Sequence, residues 1–146
     1  MTQKTEVHYS TEVYCTFEVE GIHNWPECPF DEVAYLRIPH RHMFKIKAWV
    51  PVTHSDRDVE FIMLKHRMES YLLTEYGKPI KHATLGWDIC DNKLVCQFGA
   101  MSCEMIATEL CDKFELSRCE VSEDGENGAV VDRKVIIYVD DPNEIS

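Results

Sequence analysis

Hydrophobic and polar positions alternate along "VHYSTEVYCTFEVEGIH", residues 7–23, with the two-residue period of a strand. Val7, Tyr9, Val13, Cys15, Phe17 and Val19 fall on one face, opposite His8, Ser10, Glu12, Glu18 and Glu20. Continuing the count puts His23 on the apolar face, provided no bulge at Gly21 shifts it. The segment "RIPHRHMFKIKAWV", residues 37–50, repeats the pattern: His40, His42, Phe44, Ile46, Ala48 and Val50 share one side, and Arg41, Lys45 and Lys47 take the other. That basic side matches the solvated face of an antiparallel sheet. Between the two strands, "NWPECPFDEVAYLRIP" carries three prolines and no sustained period, which predicts a long loop of the kind that often carries function.

The period then lengthens. "DVEFIMLKHRMESYLLTEYG" predicts a helix with Phe61, Leu64, Met68, Tyr71 and Leu72 as its stripe, Asp56 or Asp58 at its start, and Gly77 and Pro79 past its end. "SCEMIATELCDKFEL" predicts a second helix capped by Ser102, with Ile106, Leu110 and Phe114 recurring beside Cys103, Ala107 and Cys111. Between them, "GWDICDNKLVCQFG" reads as a small hairpin turning at Asp91 and Asn92. Two last strands, "RCEVSED" and "AVVDRKVIIYV", are joined through "GENG", and Cys119, Val121 and Glu123 face together on the first. The order is strand, strand, helix, helix, strand, strand, in one domain spanning residues 1–146 with a short acidic tail over 140–146.

Composition narrows the function classes. A hydrophobic fraction of 45%, with six Phe, six Tyr and three Trp, is that of a globular protein, and no apolar run is long enough to span a bilayer. The opening "MTQKTEVHYS" has no signal-peptide core, so a cytoplasmic, reducing setting is expected. There, seven cysteines with no C-x-x-C pair read as free thiols, mostly in the core. A net charge of −11 without a basic run argues against nucleic acid or an anionic membrane as a partner.

Three histidines and one glutamate end apolar strand faces: His23, His40, His42 and Glu123. An H-x-H pair on one strand and a third histidine on its neighbour can converge on one ion, and three neutral imidazoles with an open fourth position suit catalytic zinc. The same residues could instead cap the edge of a core, with His23 closing a strand and bonding the long loop.

The order of elements, with "FEVEGIH" before a Pro- and Cys-containing loop, "HRH" opening the second strand, "DVEFIMLK" and "MSCEMIA" opening the helices and "CEVSED" on the third strand, resembles the 6-pyruvoyl-tetrahydropterin synthase and 6-carboxy-tetrahydropterin synthase family. The resemblance covers roughly Tyr9 to Val139. It implies an α+β tunnelling fold, β-β-α-α-β-β, with an antiparallel sheet and two helices on one face. It also implies a homo-oligomer, a trimer, tetramer or hexamer, closing into a barrel. Carried over residue by residue, it implies zinc held by His23, His40 and His42, with Arg41 in place of the glycine of the usual H-G-H. Glu123 becomes the anchor of the pterin ring, and Met101, Ser102, Cys103 and Glu104 take the place of a "PTSE" turn that touches that ring.

Two positions depart from the family. Leu36 stands where the family has its catalytic cysteine, which leaves Cys28 and Cys103 as substitutes that are otherwise ordinary loop or core thiols. The family's Asp-His pair becomes Lys81 and His82, so His82 lacks the carboxylate that would orient it as an acid or base. The implied activity is that of a zinc-dependent lyase acting on 7,8-dihydroneopterin triphosphate or a related pterin, in a tetrahydropterin or 7-deazaguanine (queuosine-type) pathway. The alternative is a non-catalytic protein of the same fold that binds a pterin or purine.

Overall fold

The structure is a computed structural model that describes residues 3–81 and 90–140, and for side chains leaves out residues 80–92. Its strands are β1 (Thr11–His23), β2 (His40–Val52), β3 (Gly77–Lys81), β4 (Cys90–Gly99), β5 (Arg118–Glu123) and β6 (Asn127–Asp132). Helix α1 (Phe61–Tyr76) lies between β2 and β3, and α2 (Cys103–Phe114) between β4 and β5. The strands form one sheet in the order β3-β4-β1-β2-β5-β6. Neighbours are antiparallel except β4 and β1, which run parallel over Gly21–His23.

The β1–β2 register is unbroken from Thr11↔Val52 to His23↔His40, so no bulge at Gly21 disturbs that pairing and the alternation carries His23 to the inner face. Cys15, Phe17 and Val19 of β1, Phe44, Ile46 and Ala48 of β2, and Cys119 and Val121 of β5 are buried on that face. Leu64, Met68 and Leu72 of α1 and Ile106, Ala107, Leu110 and Cys111 of α2 pack onto them, so both helices cover one side of the sheet. Each fully buried large side chain, such as Phe44 or Ile46, contributes roughly 1.5–3 kcal/mol against the entropy of ordering it. The tyrosine at the end of α1 ties the helices together: Tyr76 donates its hydroxyl hydrogen to Glu109 at 2.5 Å.

Several local expectations are corrected. Residues 3–10 are not strand, and Val7 and Tyr9 are exposed, because β2 ends at Val52 opposite Thr11 and offers nothing further to pair with. The cap of α1 is Glu60, whose carboxylate accepts from Met63 N; Asp58 instead accepts from the backbone and hydroxyl of Thr53. Asp91 and Asn92 lie inside β4, which pairs with β3, so the hairpin between the helices is wider than the sequence suggested and reaches back to Gly77. The last strand stops at Asp132, and Val135 to Val139 follow it exposed. In contrast, Ser102 caps α2 as expected, accepting from Met105 N at 3.2 Å. Among the described residues, no helix is long and apolar enough to cross a membrane.

Candidate metal centre and adjoining cavity

The unbroken register sets His23 directly opposite His40, and the two-residue period returns His42 to the same face. One ring nitrogen from each of the three lies within 4.8 Å of the others. An aromatic floor supports them. Phe44 meets His23 edge-on at 5.1 Å and His42 at 5.8 Å between ring centres, and Phe98 packs on Phe44 from behind. Gly21 makes room for that floor: a Cβ there would come within 2.6 Å of the Phe98 ring and 2.8 Å of the Phe44 ring.

Each imidazole is oriented through Nδ1. His23 Nδ1 lies 2.8 Å from the Met101 carbonyl, His40 Nδ1 lies 2.9 Å from the Ile38 carbonyl, and His42 Nδ1 lies 2.7 Å from Asp124 Oδ2. Carbonyl and carboxylate oxygens only accept, so the hydrogen of each ring sits on Nδ1 and the Nε2 lone pair points inward. All three Nε2 atoms are buried and have no hydrogen-bond partner. Burying three unpartnered imidazole nitrogens is costly unless something fills the space between them, and a tris-imidazole donor set whose distal nitrogens are each anchored fits zinc.

Asp124 carries this orientation on the acid side. It sits in left-handed backbone conformation (φ 58°) just after β5, which an aspartate tolerates. Its Oδ1 accepts from Met43 N at 2.8 Å while its own N–H donates to the Met43 carbonyl at 2.8 Å. The Met43 N–H first, and then the His42 ring, hold its carboxyl below the ordinary value.

Strand β5 runs as far as Glu123, paired with Phe44, so the strand does not fray at Ser122. The Glu123 side chain is 27% exposed, with Oε1 3.1 Å from His23 Nε2 and Oε2 3.3 Å from His42 Nε2. Neither approach has hydrogen-bond alignment, which is why those nitrogens remain unpartnered. The carboxylate therefore stands at the open side of the triad.

A cavity of about 480 Å³ opens beside these groups. Its wall includes Trp25, Leu36, Met101, Ser102, Asn127 and Glu104, together with His23, His40, Cys103 and Glu123. The loop that carries Leu36 is ordered. A 3-10 helix (Asp31–Arg37) is held by Trp25 N to the Leu36 carbonyl at 2.7 Å and by Arg37 Nε to the Cys28 carbonyl at 2.8 Å. Leu36 is thus a cavity residue. Cys28 is buried with its thiol turned to the carbonyls of Phe30 and Val33, and it is not part of the cavity wall.

Cys103 reaches the cavity, with its sulfur 4.0 Å from Glu123 Oε1. Burial first, then the Glu123 and Glu104 carboxylates, push its thiol up to about 12, the opposite of the lowering that a helix N-terminus favours. Ser102 spends one oxygen lone pair on the α2 cap and keeps its hydroxyl hydrogen to donate. His82 lies outside the described residues.

Sequence reasoning missed Asp124, Trp25, Asn127 and the two carbonyls that orient His23 and His40. Only Asp124 leaves a trace in sequence, as a carboxylate adjoining the end of the strand that carries Glu123; backbone acceptors leave none. Arg41, between the two histidines, points off the face that carries them and pairs with the buried Glu20, which also holds Lys93 at 2.9 Å.

No family model matches the chain, and no curated protein matches it. Among solved structures it is similar to the 6-pyruvoyl tetrahydropterin synthase of Plasmodium falciparum, with a TM-score of 0.56 and 12% identity, over 88% of this chain and 100% of that one. That likeness, together with the sheet and helix arrangement above, shows that the chain has the α+β fold of 6-pyruvoyl-tetrahydropterin synthase, the tunnelling fold.

Proposed function

We propose that this protein is a zinc-dependent, pterin-processing enzyme of the tunnelling fold, working in a tetrahydropterin or 7-deazaguanine pathway as a homo-oligomer. One observation carries the reading: three buried Nε2 atoms, all without partners and all fixed from behind, converge beside a carboxylate at the mouth of a cavity large enough for a bicyclic ring. His23, His40 and His42 would hold the ion. Bound there, zinc would supply Lewis acidity to hydroxyl groups on a pterin side chain.

The chain's own residues do the rest. Glu123 can accept two N–H hydrogen bonds from a 2-amino-4-oxo pyrimidine ring, and the Ser102 hydroxyl can donate to the same ring edge. Trp25, Leu36 and Met101 give the cavity an apolar wall. Proton transfer falls to Cys103 or His82. Cys103 touches the cavity but holds its proton tightly, and Cys28 faces away. Metal analysis of purified protein before and after chelation tests the reading: about one zinc per chain is expected. Full metal content in a folded His40→Ala, His42→Ala protein would overturn it.

A second reading follows from where Glu123 stands. With its oxygens 3.1 and 3.3 Å from two Nε2 atoms, it could complete a four-ligand, closed site, and the protein would then bind a pterin or purine without turning it over.

A further inference from the structure

The charges around the cavity bear on which pterin it accepts. Among the described residues, its wall contains no lysine or arginine, and its carboxylates are Glu104 and Glu123. A shallow groove along α2 continues it, sharing Met101, Glu104 and Met105, and adds Glu109 and Asp112 against the single cation Lys113. Among the nearby basic side chains, Arg37 bonds to the Cys28 carbonyl, Arg41 and Lys93 to Glu20, and Arg133 faces Asp112, while Lys45 lies on the opposite face of β2 beside Gly125. A divalent ion between the histidines would not reverse the balance, because Glu104, Glu123 and the Asp124 that orients His42 outnumber its two charges. The whole chain adds a net −11. A triphosphate brought here meets like charge, with Lys113 of the groove as the one lysine or arginine among the described lining residues to receive it, whereas a neutral substituent meets Trp25, Leu36, Met101 and Met105.

Resting on the pterin reading above, we propose that the site selects an unphosphorylated pterin with a neutral side chain and discriminates against the triphosphate ester of the same ring. Leu36 belongs to this selectivity as an apolar wall in place of a reactive thiol.

The test is calorimetric titration of the zinc-loaded, full-length protein with 7,8-dihydroneopterin and, separately, with its triphosphate. The free pterin should bind more tightly by roughly tenfold or more at low ionic strength, and the gap should shrink as salt screens the repulsion. Glu104 is exposed in the first turn of α2, so Glu104→Gln should fold normally by circular dichroism and narrow the gap through the triphosphate arm. Tighter binding of the triphosphate, or an unchanged gap in folded Glu104→Gln protein, would overturn the selectivity and leave the pterin reading standing. Binding of neither compound would remove the pterin reading itself, and this inference with it.

Discussion

The His42 ring and the Asp124 carboxylate meet at 2.7 Å across the junction of β2 with the β5–β6 turn, and Asp124 spends its other oxygen on the backbone N–H of Met43, next to His42 in the chain. One side chain thus fixes both the ring that would bind the ion and the backbone that carries it. An asparagine can satisfy only one of these two donors, because it replaces an acceptor with an NH₂ group. Asp124→Asn should therefore lower zinc affinity by roughly 10–100-fold while the helices stay folded. Competition against a chromogenic chelator, with circular dichroism as the control, measures both.

The same carboxylate predicts an acid limb in stability. Its folded-state pKa is depressed below 3.8 by the Met43 N–H and by His42, so its contribution is complete above that unfolded-state value and is lost as pH falls through the lower folded one. Thermal melts of the metal-free protein taken down through this range should show a loss that Asp124→Asn lacks. Parallel acid limbs in the two proteins would contradict this.

Gly21 should tolerate no larger residue. Valine there drives methyl groups into the Phe98 and Phe44 rings that floor the histidines, at a cost of roughly 1–3 kcal/mol in stability. Metal content should fall with it, since the floor and the site move together. A Gly21→Val protein with wild-type melting temperature and zinc stoichiometry would show that the floor is dispensable.

Glu123→Gln separates the two readings of the site. If the carboxylate anchors a ring, zinc content should persist while pterin binding weakens by roughly 1.5–3 kcal/mol, the scale of a lost charge-assisted hydrogen bond. If Glu123 closes the coordination sphere, zinc itself should leave more readily. Elemental analysis and titration of one variant give both answers.

Sheet edges predict assembly. Among the described residues β4 pairs with β1 only over Gly21–His23, leaving the β1 edge from Thr11 to Glu20 without a partner strand, and β6 is open on its far side. Exposed Val135 to Val139 continue from β6. Such edges are normally covered, and light scattering at micromolar concentration should find a homo-oligomer. A clean monomer would count against the barrel.

Periodicity made much of this legible. Strict alternation in β1 and β2 places His23, His40 and His42 on one face, and the helical stripes mark Leu64, Met68, Leu72, Ile106 and Leu110 as core positions, where the structure buries them. Where propensity and pairing disagreed, pairing won. Val7, Tyr9 and the run from Val135 to Val139 have strand-forming side chains but no strand to pair with among the described residues, while Asp91 and Asn92, good turn residues, are drawn into β4 by β3. At Cys103 the helix N-terminus is visible in sequence, whereas the burial and the carboxylates that outweigh it and push the thiol up are not.

The thirteen-residue pairing of β1 with β2 is joined by a long folded loop rather than a tight turn, so the connection does not dictate how the two strands align. A slip of one residue would turn Arg41 inward; a slip of two would keep the apolar faces matched but set His23 against Ile38 or His42 instead of His40. Hydrophobic burial penalises the first error more than the second. The slip that sets His23 against Ile38 carries it away from His42 and breaks up the three imidazoles, so an ion that binds all three proofreads the hairpin against an error that the core alone would accept.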